Sequence, residues 1–181
     1  MIQIALKAVR VDKRLSEETH CYSAVLVVDG KDFAIVGNAG HGGDDDVKTF
    51  FPPFGPKDLD EVERRVKAEH PPLDMTAYGF KEPLPASLET VCGGLVEDFM
   101  REQDLTKVLR NKVAFFEGGL PPEGTTAPLF TIAMQKAKGR RPADTVESLT
   151  EYVVKTYPGA LVLNGLPKDK QMEAYLRANA G

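Results

Sequence analysis

Residues 20–38, HCYSAVLVVDGKDFAIVGN, decide the fold. Two apolar runs, 20–28 and 31–38, flank the dipeptide Asp29-Gly30. A two-residue type I′ turn needs positive φ at both central positions, and Asp-Gly supplies it at little steric penalty. The segment therefore reads as a β-hairpin. Upstream, residues 2–11 (IQIALKAVRV) place Ile2, Ile4 and Leu6 on one side, an imperfect alternation that predicts a further strand. Residues 12–19 are polar and connect the two. Downstream, Asn38 to Asp46 is a loop of glycines and aspartates. Residues 48–56 (KTFFPPFGP) are expected to be irregular because of their prolines and glycine.

The remainder alternates between helical and extended patterns. Asp58 is expected to cap a helix reaching Glu69, with Leu59, Val62 and Val66 as its apolar stripe. Residues 71–86 carry four prolines. With Leu73, Met75, Tyr78 and Phe80 they read as an ordered loop. Ser87 is expected to cap a second helix whose inward face is Leu88, Val91, Cys92, Leu95 and Phe99, widened by Val96 and Met100. Gly93 and Gly94 lie in its middle, each about 1 kcal/mol less favourable than alanine. Close packing of another backbone is the expected compensation. Residues 112–117 and 129–134 predict a strand pair. A helix from Asp144 follows, with Val146, Leu149, Val153 and Tyr157 facing inward. A short strand over 160–163 and a last helix opened by Pro167, carrying Met172, Tyr175 and Leu176, complete the order. This order predicts an α+β fold, a mostly antiparallel sheet opened by an N-terminal β-meander with three to four helices packed on it.

The chain has 181 residues, 42% apolar and 28% charged. That length fits one domain, 1–181, with sub-parts 1–56 (β-meander) and 57–181 (helices and short strands). The composition excludes a disordered chain, a collagen-like fibre and a disulfide-stapled mini-protein. A net charge of −4 gives no overall attraction to nucleic acid or acidic lipid. Lys7, Arg10 and Asp12 interrupt any secretory apolar run, and no stretch approaches the roughly 20 apolar residues that span a bilayer. Cys21 and Cys92 read as reduced, buried thiols. The expected location is cytoplasmic, with no membrane partner.

Three groups of residues carry candidate chemistry. His41 with Asp44, Asp45 and Asp46 offers one nitrogen and several carboxylate oxygens, material for a divalent cation on His41, Asp44 and Asp46. The competing reading is a solvated acidic loop, and no other cofactor is expected. The adjacent aspartates exclude a phosphate cradle. Phe50, Phe51 and Phe54 either cap the end of the sheet or stand exposed as apolar anchors. Together with Asp44, Asp45 and Asp46 they make the loop from Asn38 to Phe54 the expected partner-binding surface. Arg140 and Arg141, in the basic connector 136–142, are candidate anion contacts for a nucleotide or nucleic acid. His20 and His70 read as structural, and no catalytic triad or dyad can be assembled.

Residues 16–43, SEETHCYSAVLVVDGKDFAIVGNAGHGG, resemble the N-terminal hairpin of small uncharacterised proteins of phages and other mobile elements. YPGALVLNGLP (157–167) extends the resemblance, which implies an accessory protein acting on host machinery and carries no catalytic residue across. The leading expectation is a non-enzymatic binding protein that docks on and modulates a host macromolecule, most simply a host protein. A metal-dependent hydrolase or nuclease using His41 and Asp44–Asp46 is the alternative. A small-nucleotide or nucleic-acid binder using Arg140 is a third reading.

Overall fold

A computed structural model describes residues 1–74, 76, 79–122, 127–136, 138 and 143–178. The fold is α+β, with four helices and two antiparallel sheets. Compact units run Met1–Met100 and Arg101–Gly181.

In the first unit, strands β1 (Ile4–Val11), β2 (Tyr22–Val28), β3 (Lys31–Asn38) and β4 (Asp46–Phe50) form a sheet in that spatial order. The β2–β3 turn is as the dipeptide dictates, with φ of +48° at Asp29 and +79° at Gly30. Asp29 then accepts from the Gln3 amide at 3.0 Å and from Arg65 at 2.7 Å, tying the turn to the chain before β1 and to helix α1 (Pro56–Glu69). Strand β4 corrects the expectation of irregular structure over 48–56. Pro52 and Pro53 lie beyond the strand, so all of its own amides remain available to pair with β3.

Helix α1 begins two residues before the expected cap. Pro56, which has no amide hydrogen to satisfy, opens the first turn, and Asp58 reaches back to accept the Gly55 N–H at 2.8 Å. Helix α2 (Leu88–Asn111) is longer than its apolar pattern suggested. Ser87 does cap it: its Oγ accepts the Thr90 N–H at 3.1 Å, and the Thr90 hydroxyl accepts the Ser87 N–H at 3.0 Å. Between the helices, Leu73 and Leu84 pair as an isolated bridge, while Met75 and Tyr78 lie outside the described residues. Phe80 is exposed.

The core of this unit gathers Ile2, Tyr22, Leu26, Phe33, Val36, Val62, Val66, Leu88, Cys92 and Val96. Its α2 stripe is thus Leu88–Cys92–Val96, an i, i+4, i+8 row. Leu95 and Phe99, expected to face inward, are only half-buried and lie outside that cluster. The glycine pair also departs from expectation. A Cβ at Gly93 or Gly94 would meet nothing within 4 Å, so no backbone packs against either.

In the second unit, β5 (Lys112–Phe116) is flanked by β6 (Phe130–Ala133) and β7 (Leu161–Val162). Strand β5 is buried on both faces, as period-two alternation allows. Ala114 and Phe116 join Leu105, Leu163 and Ala174 of helix α4 (Lys168–Ala178). Val113 and Phe115 join Val153 of helix α3 (Val146–Thr156). Val146, Leu149 and Tyr157 pack against that second cluster as expected. Among the described residues, no helix is long and apolar enough to cross a membrane.

Candidate functional site

Asn38 ends β3 and is 6% exposed, the one buried polar residue of the described core. Its amide is fully satisfied. Oδ1 accepts from the Thr19 hydroxyl at 2.6 Å and from the Gly40 N–H at 2.9 Å. Nδ2 donates to the Gly43 carbonyl at 3.0 Å and to Asp45 at 3.1 Å. A buried amide bonded on all sides fixes the chain around it. Here it folds the loop 38–46 against the β1–β2 connection. Gly40 makes that closure sterically feasible: its φ is +90°, and a Cβ would stand 2.0 Å from the Leu15 carbonyl oxygen. The Gly40 carbonyl in turn accepts from the Glu17 N–H at 2.9 Å and the Glu18 N–H at 3.1 Å.

The three aspartates separate. Asp45 turns inward, accepting from the Tyr22 hydroxyl as well as from Asn38. Burial, followed by the bond to Asp45, raises the Tyr22 phenol pKa well above its usual value, so it remains a donor. Asp44 and Asp46 are exposed, and Asp46 starts β4 opposite Gly37. His41 bonds Glu17 at 3.1 Å on the exposed side. Among the described residues, no group of three His, Cys, Asp or Glu side chains is placed to hold a metal ion. His41, Asp44 and Asp46 are therefore not brought together as a ligand set.

Two of the three phenylalanines pack on the core. The rings of Phe50 and Phe54 lie 5.7 and 5.0 Å from that of Phe33, and Phe51 is half-buried with its N–H on the Phe33 carbonyl. Phe50 and Phe54 pack against the core cluster, and Phe51 lies outside it. Arg140 and Arg141 lie outside the described residues.

What the loop does build is one wall of a cleft of about 570 Å³. Thr19, His20, Tyr22, Asn38 and Asp45 line one side, and α2 supplies the other through Glu89, Gly93, Val96, Glu97 and Met100. These helix positions follow i, i+4, i+7, i+8 and i+11 spacing, a single face. Five carboxylates (Glu17, Glu18, Asp45, Glu89, Glu97) line the cleft against one lysine, Lys13. Of the other lining carboxylates, Asp45 acts on Glu89. The Glu89 pKa is raised, first by desolvation and then by the charges of Asp44, Asp45 and Glu63. Beneath it, burial pushes the Cys92 thiol up to about 12, an inert core group.

Of this set, the sequence placed Asp45 and the loop starting at Asn38 on the expected binding surface, read Gly93 as a packing position, and gave Tyr22 and Glu89 no site role. The available signals were a polar Asn closing an otherwise buried strand and a glycine four residues after Glu89 on one helix face. Compared with family models, curated proteins and solved structures, the chain matches none.

Proposed function

We propose that this chain is a non-enzymatic binding protein whose cleft receives a basic segment of another protein. The observation that carries this reading is the charge of the cleft wall, five carboxylates to one lysine, with Asp45 held in place by Tyr22 and Asn38. Carboxylates gathered around one cleft repel one another, and an incoming cation relieves that repulsion. Electrostatic complementarity of this kind speeds encounter and selects partners by sign. The resemblance of residues 16–43 to proteins of phages and mobile elements supports a host protein as the partner, with modulation of that protein as the outcome. The same charge disfavours nucleotides and nucleic acid at this cleft.

Fluorescence anisotropy with a labelled arginine-rich peptide tests the proposal. Binding should weaken as salt is raised and with Asp45→Asn or Glu89→Gln. Equal affinity for an acidic peptide of the same length, or indifference to both substitutions together, would overturn it.

A further inference from the structure

Helix α2 carries two consecutive glycines where alanine would favour the helix. A Cβ at either position would enter open space, so packing within the described structure does not account for them. The two differ in surroundings. Gly93 lies in the cleft wall, while Gly94 is exposed and outside it, and nothing in the structure explains Gly94. Gly93 follows Glu89 by one helical turn and precedes Val96 and Met100 on the same face. Along α2 the cleft therefore presents Glu89, then the bare backbone of Gly93, then Glu97 and the half-buried Met100, with Val96 buried beneath them.

We propose that Gly93 is the specificity-determining residue of the cleft: it leaves room for the aliphatic stem of a long cationic side chain, arginine or lysine, to lie against α2. The cationic head sits between Glu89 and Asp45, and the stem runs over Gly93 toward the half-buried Met100. Long cationic side chains bury their methylenes on apolar surface while the charge finds a polar partner. A side chain at position 93 would occupy the stem's place. This inference rests on the cleft being the binding site for basic segments.

The test titrates three proteins, wild type, Gly93→Leu and Gly94→Leu, with two peptides. One is arginine-rich, and the other carries β-guanidinoalanine, the same head on a one-carbon stem, at each arginine. Wild type and Gly94→Leu should bind the arginine peptide alike and prefer it to the short-stemmed one. Gly93→Leu should melt no lower than wild type yet lose about tenfold or more in affinity, as when a pocket is filled. If Gly93→Leu binds like wild type while Glu89→Gln weakens binding, the role of Gly93 is wrong and the acidic cleft stands. If wild type binds neither peptide, the cleft reading itself fails. Should Gly93→Leu not fold, Gly93→Ala is judged by the same comparison with Gly94→Ala.

Discussion

The Tyr22 hydroxyl donates to the Asp45 carboxylate, joining the first residue of β2 to the acidic loop. Asn38 bonds the same carboxylate and so ties strand β3 to that loop as well. The loop 38–46 is thereby an extension of the sheet rather than a free solvated segment. Because the phenol is buried and its pKa raised, the bond persists wherever the carboxylate is ionised.

Tyr22→Phe keeps the ring packing and removes one donor from a charged acceptor. It should lower unfolding free energy by about 1.5 kcal/mol in a denaturant titration, typical of a hydrogen bond to an ionised group. It should also weaken peptide binding through loss of Asp45 orientation. An unchanged unfolding midpoint would show that the bond is unimportant in solution.

Phe33 is 1% exposed and sits under both Phe50 and Phe54. Phe33→Ala should cost about 3–5 kcal/mol, the range for emptying a buried aromatic position. Phe50→Ala, at a half-buried ring, should cost less. Equal and small losses in equilibrium unfolding would mean that the rings do not form one cluster.

How much of this was legible in the sequence depended on whether the signal was local. Asp29-Gly30 dictates its own turn, and Ser87 marks a helix start with chemistry confined to a few residues. Asp58 and Asp144 marked two other starts only to within two residues of the observed Pro56 and Val146. Strand β4 was hidden because Pro52 and Pro53 follow it closely and made the whole stretch read as irregular. The face of α2 was misjudged because Leu95 and Phe99 match helical spacing as well as Cys92 and Val96 do. The cleft was not legible at all as a unit. Its walls come from residues 13–22, 38–45 and 89–100, and nothing in any one of these segments announces the other two.

Two glycine-to-alanine substitutions should move stability in opposite directions. Gly94→Ala enters open space in an exposed helix position and should stabilise by about 1 kcal/mol. Gly40→Ala forces a residue with a Cβ to φ +90° against the Leu15 carbonyl. It should destabilise by about 2 kcal/mol or more through backbone strain and steric conflict. Thermal melts of both variants decide the matter, and a stabilising Gly40→Ala would disprove the loop closure described above.

Glu89 gives the cleft a pH signature. Its folded-state pKa is raised above the ordinary 4.5, so ionisation opposes folding. That penalty is fully present above the folded pKa and vanishes below the unfolded one. The melting-temperature difference between Glu89→Gln and wild type should therefore be more positive at neutral pH than below pH 4.5. A difference that stays flat or reverses across that range would mean that neither desolvation nor the charges of Asp44, Asp45 and Glu63 act on Glu89.

Chemical-shift mapping with an arginine-rich peptide at low salt decides whether the acidic cleft receives basic segments. Amide signals of Thr19, His20, Tyr22, Asn38, Asp45, Glu89, Thr90 and Gly93 should move together along one saturable curve, while those of β5, α3 and α4 stay in place. Perturbations confined to residues outside the cleft, or no saturable change in those eight signals, would mean that the cleft does not bind basic segments.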